Sequence, residues 1–371
     1  MKKYKWDVFE IRKNINTLQN LLHNPSYHFF KDDILETIEQ YFDMLKTMYG
    51  NYQEEFGFDD NIEISECAEE YSHYLEKSSM PLLNLVLSTF NLVKDYNTNK
   101  NNDYLVTFNN NYIMEITNDF LKATLPNKYL KVYENYINNN PNYLHITSNP
   151  FCTGGSTYID EILSKKYIIL NRKNDIWDIV TPSHEIFHFI FNDYSSYMTN
   201  NNLMKYLREI EGIFANFLFA NWFKNRYFDE AITMEKEELF FYQMRVLCLK
   251  YFEIYLNSID KKNVFHEDMF NTQCEKLDYQ FMIDIDIVKE EWNQESADDN
   301  LMYSFSYLAA LDLFNIYEKD HDYGFYLLSK IKSVKNNMDP VNLLREKGFT
   351  FMDDNFSNLK KHVIKLEKTR I

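Results

Sequence analysis

Apolar residues recur at three- and four-residue spacing through most of this chain, the period of a helix with one buried face. The spacing predicts helices over 6–22, 27–56, 64–75, 82–96, 112–123 and 128–137, with Gly57 ending the second. The polar run NTNKNND, 97–103, reads as a loop. After Asn140 the period shortens. Residues 143–147 (YLHIT) and 167–171 (YIILN) are short and rich in β-branched and aromatic side chains, and both are expected as strands. Between them, Thr153-Gly154-Gly155-Ser156-Thr157-Tyr158 carries two adjacent glycines of the seven in the chain. Such a pair permits either a hairpin turn or close approach of the backbone to another chain. Helical spacing then returns over 203–223, 237–257 and 278–292. It continues from Tyr303-Ser304-Phe305-Ser306-Tyr307 through LAALDLFNIYEKD and over 323–335. No repeat of fixed period is visible.

Composition sharpens this to a packed, mainly α fold. Gly and Pro number seven each in 371 residues, so punctuation is sparse, and 45% hydrophobic content supports a large core. A net charge of −17 argues against a nucleic-acid partner and an anionic membrane surface, which need a basic face. The most apolar run, 212–223, is too short to span a bilayer and is interrupted by Asn216 and Asn221. The N-terminal MKKYKWDVFEIRKN has no apolar stretch behind its basic residues, so no signal peptide is expected and the cytoplasm is the default location. Cys67, Cys152, Cys248 and Cys274 are scattered and read as reduced thiols.

The candidate chemistry lies at 181–190, TPSHEIFHFI. His184 and His188 are four apart, so one helix face presents two imidazoles to one metal ion. Zinc suits that pair completed by a carboxylate, with one position kept for water. Glu185 is then the general base and no ligand. Thr181 is expected to cap this helix and Pro182 to take its first position, where a missing N–H costs nothing. The helix over 203–223 should bring the third ligand, and Glu209 and Glu211 are its candidates. Two apart, they face nearly opposite sides. Gly212 and Ile213 flank Glu209 at helical spacing, whereas Glu211 has bulky Phe214 beside it. Glu209 is therefore the expected ligand, with Glu211 the alternative. About one zinc per chain follows.

In this order the features resemble the zinc oligopeptidases of the oligoendopeptidase F and thimet oligopeptidase type. TGGSTYIDEILSKKYIILN, TPSHEIFHFIF and LREIEGIFANFL carry the resemblance, with SFSYLAALDLFNIYEKDHDYGFYLLSKIKS and DPVNLLREKGF nearer the end. It covers about 150–225 and 300–355. It implies a mainly α fold, a helical bowl around a deep channel with a small sheet beside the zinc helices. It implies a helical N-terminal lobe over 1–140, shortened relative to the family and continuous with a catalytic region over 141–371. It also implies that Glu209 completes the metal site and that Tyr303 or Tyr307 donates to the oxyanion. Three positions depart from the pattern. Phe187 stands where glycine is usual, Asn216 where a second acid is expected, and Ala297-Asp298-Asp299 where a histidine is expected.

The expected function is a zinc metalloendopeptidase that cuts short unstructured peptides. Glu185 activates the water, and Gly154, Gly155, Ser156 and Tyr158 hold the substrate backbone at a sheet edge. The shortened lobe is compatible with one dedicated peptide substrate. Two alternatives stand beside this reading: a non-catalytic, zinc-braced peptide-binding protein, and an aminopeptidase of the wider H-E-x-x-H group.

Overall fold

The structure, a computed structural model, describes residues 11, 14–15, 17–18, 21, 25–49, 79–94, 96, 108–138, 144–147, 155–160, 165–172, 175–191, 204–259, 264–281, 297–333, 340–353 and 356–369. The expected helix over 64–75 and loop over 97–103 lie outside these residues, as do most of 6–22 and 278–292. Early in the chain come α1 (Lys31–Tyr49), α2 (Met80–Leu87), α3 (Phe90–Val93), α4 (Asn110–Thr124) and α5 (Asn127–Tyr133). Strands β1 (Leu144–Thr147), β2 (Gly155–Asp160) and β3 (Lys165–Asn171) lead into α6 (Trp177–Phe191). There follow α7 (Ile210–Phe223), α8 (Phe228–Asn257), α9 (Glu267–Phe281) and α10 (Ala297–Tyr317). The remaining helices are α11 (His321–Lys332), α12 (Pro340–Glu346) and α13 (Ser357–Lys368). The fold is mainly α with one small sheet. It divides into two compact units, Met1–Phe58 with Asn102–Tyr194 and Asp59–Asn101 with Ser195–Ile371.

In the first unit, α4 and α5 and the sheet pack around α6. Asn109 caps α4 by accepting a hydrogen bond from the Tyr112 N–H at 2.9 Å. Pro126 forces Leu125 into extended backbone and so ends the helix. Ile113, Ile116, Thr117, Phe120 and Leu121 are its buried residues, a three-and-four spacing that forms one stripe. The sheet order is β1-β3-β2, with β1 parallel and β2 antiparallel to β3. Ile168, Ile169 and Leu170 of β3 are all buried, so both faces of this central strand are covered.

Two local expectations are corrected here. The Gly154–Tyr158 segment, legible as a hairpin turn, is mostly strand: Gly155 opens β2 and pairs with Leu170. Glycine forbids neither conformation, and the ladder to β3 decides between them. Pro182 lies inside α6 and does not open it, because the helix begins a turn earlier at Trp177. Burial of Ile179 and Val180 outweighs the cost of one lost helical hydrogen bond.

In the second unit α10 is central and packs against α2, α7, α8, α11 and α13. It is buried almost all round, from Leu301 and Phe305 to Ala309 and Leu313. Asp312 puts a carboxylate into that packing at 3% exposure. It accepts from the backbone N–H groups of Thr350 and Phe351, from the Thr350 hydroxyl and from the Asn358 amide. This ties the turn Thr350–Asp353 and α13 to the central helix. Among the described residues no helix is long and apolar enough to cross a membrane. Cys248 and Cys274 are free, and Cys67 and Cys152 lie outside the described residues.

Asp312→Ala would leave the buried Phe351 N–H and the part-buried Thr350 and Asn358 donors without this acceptor. A buried donor left unpaired costs about 1–3 kcal/mol, so a loss of that order is expected in a denaturant titration. Wild-type stability in this variant would show that the carboxylate is not what secures the C-terminal segment.

Candidate metal centre

Helix α6 is buried on nearly every side, and Thr181 and His184, partly exposed, lie on the stripe that also bears Glu185 and His188. Phe187 packs against Phe120 at 6.4 Å and Phe191 at 5.6 Å between ring centroids. A bulky residue before His188 is thus absorbed by α4. At the far end, the Lys166 ammonium donates to the Phe189 carbonyl at 3.0 Å. A cation there satisfies a carbonyl of the last turn and suits the helix dipole.

The two imidazoles converge. Nε2 of His184 and Nε2 of His188 are 3.0 Å apart, with rings inclined at 71°. Two nitrogens each about 2.0–2.1 Å from one zinc ion must lie within about 4.2 Å of each other. The observed spacing meets that condition. Together with Glu209 they form a group that can hold a metal ion, with one ligand atom from each residue and all three within 4.8 Å of one another.

Glu209 is reached by an unexpected local structure. The turn Met204–Leu207 is a 3-10 helix, and Glu209 is the N-cap of α7. Its carboxylate makes no capping hydrogen bond to its own helix. The preceding turn is held rigidly. Tyr206 is fully buried, its hydroxyl bonds Ser79 and Asp298, and its carbonyl accepts from Ser306 at 2.8 Å. Lys205 pairs with the same Asp298. Where the resemblance implies a histidine, this chain therefore has an aspartate that braces the approach to Glu209.

Glu211, the alternative ligand, has a different fate. It is wholly buried and pairs with the Lys332 ammonium at 2.8 Å. That cation marks it as a structural ion pair. Asn216, where a second acid was expected, donates to Glu238 of α8 at 2.9 Å, so the carboxylate comes from a neighbouring helix.

The two tyrosines of α10 differ. Tyr303 is half-buried, with the Arg245 guanidinium 4.2 Å from its ring centre. Tyr307 is buried, stacks on Tyr242 at 4.4 Å and meets Phe217 edge-on. Its hydroxyl has no hydrogen-bond partner among the described residues, and burial pushes its pKa well above the usual phenol range. Gly154 lies outside the described residues. Ser156 and Tyr158 hold β2 positions opposite Ile169 and Tyr167.

Glu185 is 5% exposed and sits against β2. A Cβ on Gly155 would lie 2.6 Å from Glu185 Cγ and 2.8 Å from Leu170 Cδ2, so only glycine lets the strand come this close. Two residues on, the Thr157 hydroxyl reaches Glu185 Oε2 at 2.6 Å and the Glu185 carbonyl at 2.9 Å. Thr157 was not among the expected site residues. The period-2 rule was the available signal, since Thr157 shares the face of Gly155 once β2 is recognised as a strand.

The sequence matches no family model and no curated protein. Its fold does match solved structures. A PZ peptidase A solved with an inhibitor aligns over 100% of this chain and 73% of its own, at 11% identity and a TM-score of 0.53. A protein described as an oligoendopeptidase F from Bacillus anthracis str. Ames covers 92% of this chain and 63% of its own, at 13% identity and a TM-score of 0.53. A protein described as a peptidase from Chlamydophila abortus covers 82% of this chain and 60% of its own, at 14% identity and a TM-score of 0.57. At such identities the likeness establishes a shared fold.

Gly155→Ala is expected to push β2 from α6 and to cost about 1–3 kcal/mol, as overpacking does elsewhere. Thermal unfolding measures it. An unchanged midpoint would mean that the strand and Glu185 are not in close contact.

Proposed function

We propose that this protein is a zinc-dependent peptidase acting on internal bonds of short, unstructured peptides. The convergence of His184 and His188 beside the buried Glu185 carries the reading, in a fold shared with structures described as peptidases. His184, His188 and Glu209 would hold the ion. When bound there, zinc supplies Lewis acidity to the scissile carbonyl and to the attacking water.

The remaining steps fall to the chain's own residues. Glu185 accepts a proton from the attacking water and returns it to the leaving amine. Tyr303, the more accessible of the two candidate tyrosines, donates to the oxyanion. The peptide backbone lies along β2, which pairs with β3 on one side and has no second partner strand among the described residues. An extended chain suits that edge, and a folded protein would have to unfold first. The net charge of −17 favours capture of cationic peptides at low salt.

Metal analysis should find about one zinc per chain in wild type and a large loss in His188→Ala and Glu209→Ala. Glu211→Ala should keep the metal but lose about 3–5 kcal/mol, because it leaves Lys332 buried without its counter-ion. Zinc loss in Glu211→Ala with retention in Glu209→Ala would reverse the ligand assignment.

Glu185→Gln should keep zinc and fold and lose about two to four orders of magnitude in peptide cleavage. A library of peptides varied in length and charge, read by mass spectrometry beside a stable folded protein, supplies the assay. Internal cuts in the peptides alone are expected. Stepwise removal of N-terminal residues would point to an aminopeptidase. Binding without any cleavage by zinc-loaded wild type would point to a non-catalytic zinc-braced receptor.

A further inference from the structure

We propose that Thr157 is a positioning residue that fixes the orientation of the Glu185 carboxylate. The proposal rests on the peptidase reading for its consequence, but its geometry stands within one helix–strand contact. Successive same-face positions of β2 are shaped around Glu185. At Gly155 the space of a side chain is taken by Glu185 Cγ, at 2.6 Å from where a Cβ would stand. At Thr157 a hydroxyl reaches both the carboxylate, at 2.6 Å, and the main-chain carbonyl of the same residue, at 2.9 Å. A hydroxyl has one proton, and the shorter contact to the charged group takes the larger share of it. The β-branched Thr157 is stiff at χ1, so this hold is firmer than a serine or a water would give.

The chemical consequence follows from the two oxygens of a carboxylate. Oε2 is tied to Thr157, which leaves Oε1 as the atom that takes and returns the proton. A general base must meet its proton within hydrogen-bond reach, and an untethered Glu185 could turn about its side-chain torsions. Thr157 touches neither substrate nor metal in this scheme. It acts through Glu185.

The test compares Thr157→Val, which keeps the shape and removes the donor, with Thr157→Ser, which keeps the donor. Zinc content and thermal midpoint are measured for both, with turnover of an internally quenched peptide. Thr157→Val should retain its zinc and lose about 10- to 100-fold in kcat with KM within about 2-fold, the scale of one hydrogen bond to a charged group. Thr157→Ser should recover most of that loss. Equal losses in the two variants, a loss carried by KM, or an unchanged kcat in Thr157→Val would overturn the proposal. If Thr157→Val does not fold, Thr157→Ala takes its place against Thr157→Ser. Crystal structures give a readout independent of turnover. Glu185 should show one carboxylate orientation in wild type and Thr157→Ser, and a rotated or split one in Thr157→Val. An inactive wild type would sink the peptidase reading while the Glu185 orientation still decides the role of Thr157. An identical Glu185 in all three crystals would refute it.

Discussion

Burying a carboxylate in the contact between a helix and a sheet costs several kcal/mol unless donors replace the lost water. Glu185 meets that condition through Thr157, and Gly155 makes room for the meeting. The close strand, the glycine that opens it and the buried helix are consequences of placing one ionisable group at a fixed spot. The same rule recurs among the other buried acids. Asp312 takes donors from the C-terminal turn and α13, Glu211 takes Lys332, and Glu235 takes Lys365. The partners of these acids arrive from distant sequence, whereas buried Asp178 pairs with nearby Arg172.

The two glutamates near the start of α7 illustrate how partners assign roles. Both are one residue type, two positions apart, on the same element. Glu211 receives an ammonium ion and becomes an internal brace. Glu209 belongs to the group with His184 and His188, and the turn before it is secured by Tyr206, Asp298 and Ser306. The bulk of Phe214 is a secondary matter, since that ring packs onto Tyr317 and Phe325. What makes Glu211 a brace is the cation on α11.

The departures from the oligoendopeptidase pattern are absorbed in three ways. Phe187 finds Phe120, Asn216 finds Glu238, and Asp298 takes up Tyr206 and Lys205. Each of the three residues has a packed or paired environment. The third is the largest chemical change, because an aspartate engaged with Tyr206 and Lys205 stands where the resemblance implies an imidazole. On α10, Tyr303 lies half-buried beside Arg245, whereas Tyr307 is enclosed.

The pattern of apolar residues by itself determined that the fold is mainly α, where β1, β3 and most described helices lie, and that His184 and His188 share a face. These are local properties: a period of 3.6 or 2, and a four-residue spacing, hold in any tertiary context. The sequence also contained Gly155 and Thr157, but whether they form a turn or a strand was undecided, because glycine allows both. Pairing with β3 settled it, and with it which side chains face Glu185. The helix start before Pro182 and the separate fates of Glu209 and Glu211 were likewise settled by contacts far away in sequence. A lysine 121 positions beyond Glu211 (332 − 211) leaves no mark on the local pattern, yet its charge is what makes that glutamate structural. Spacing reports which residues share a face, and only the packed structure reports what that face meets.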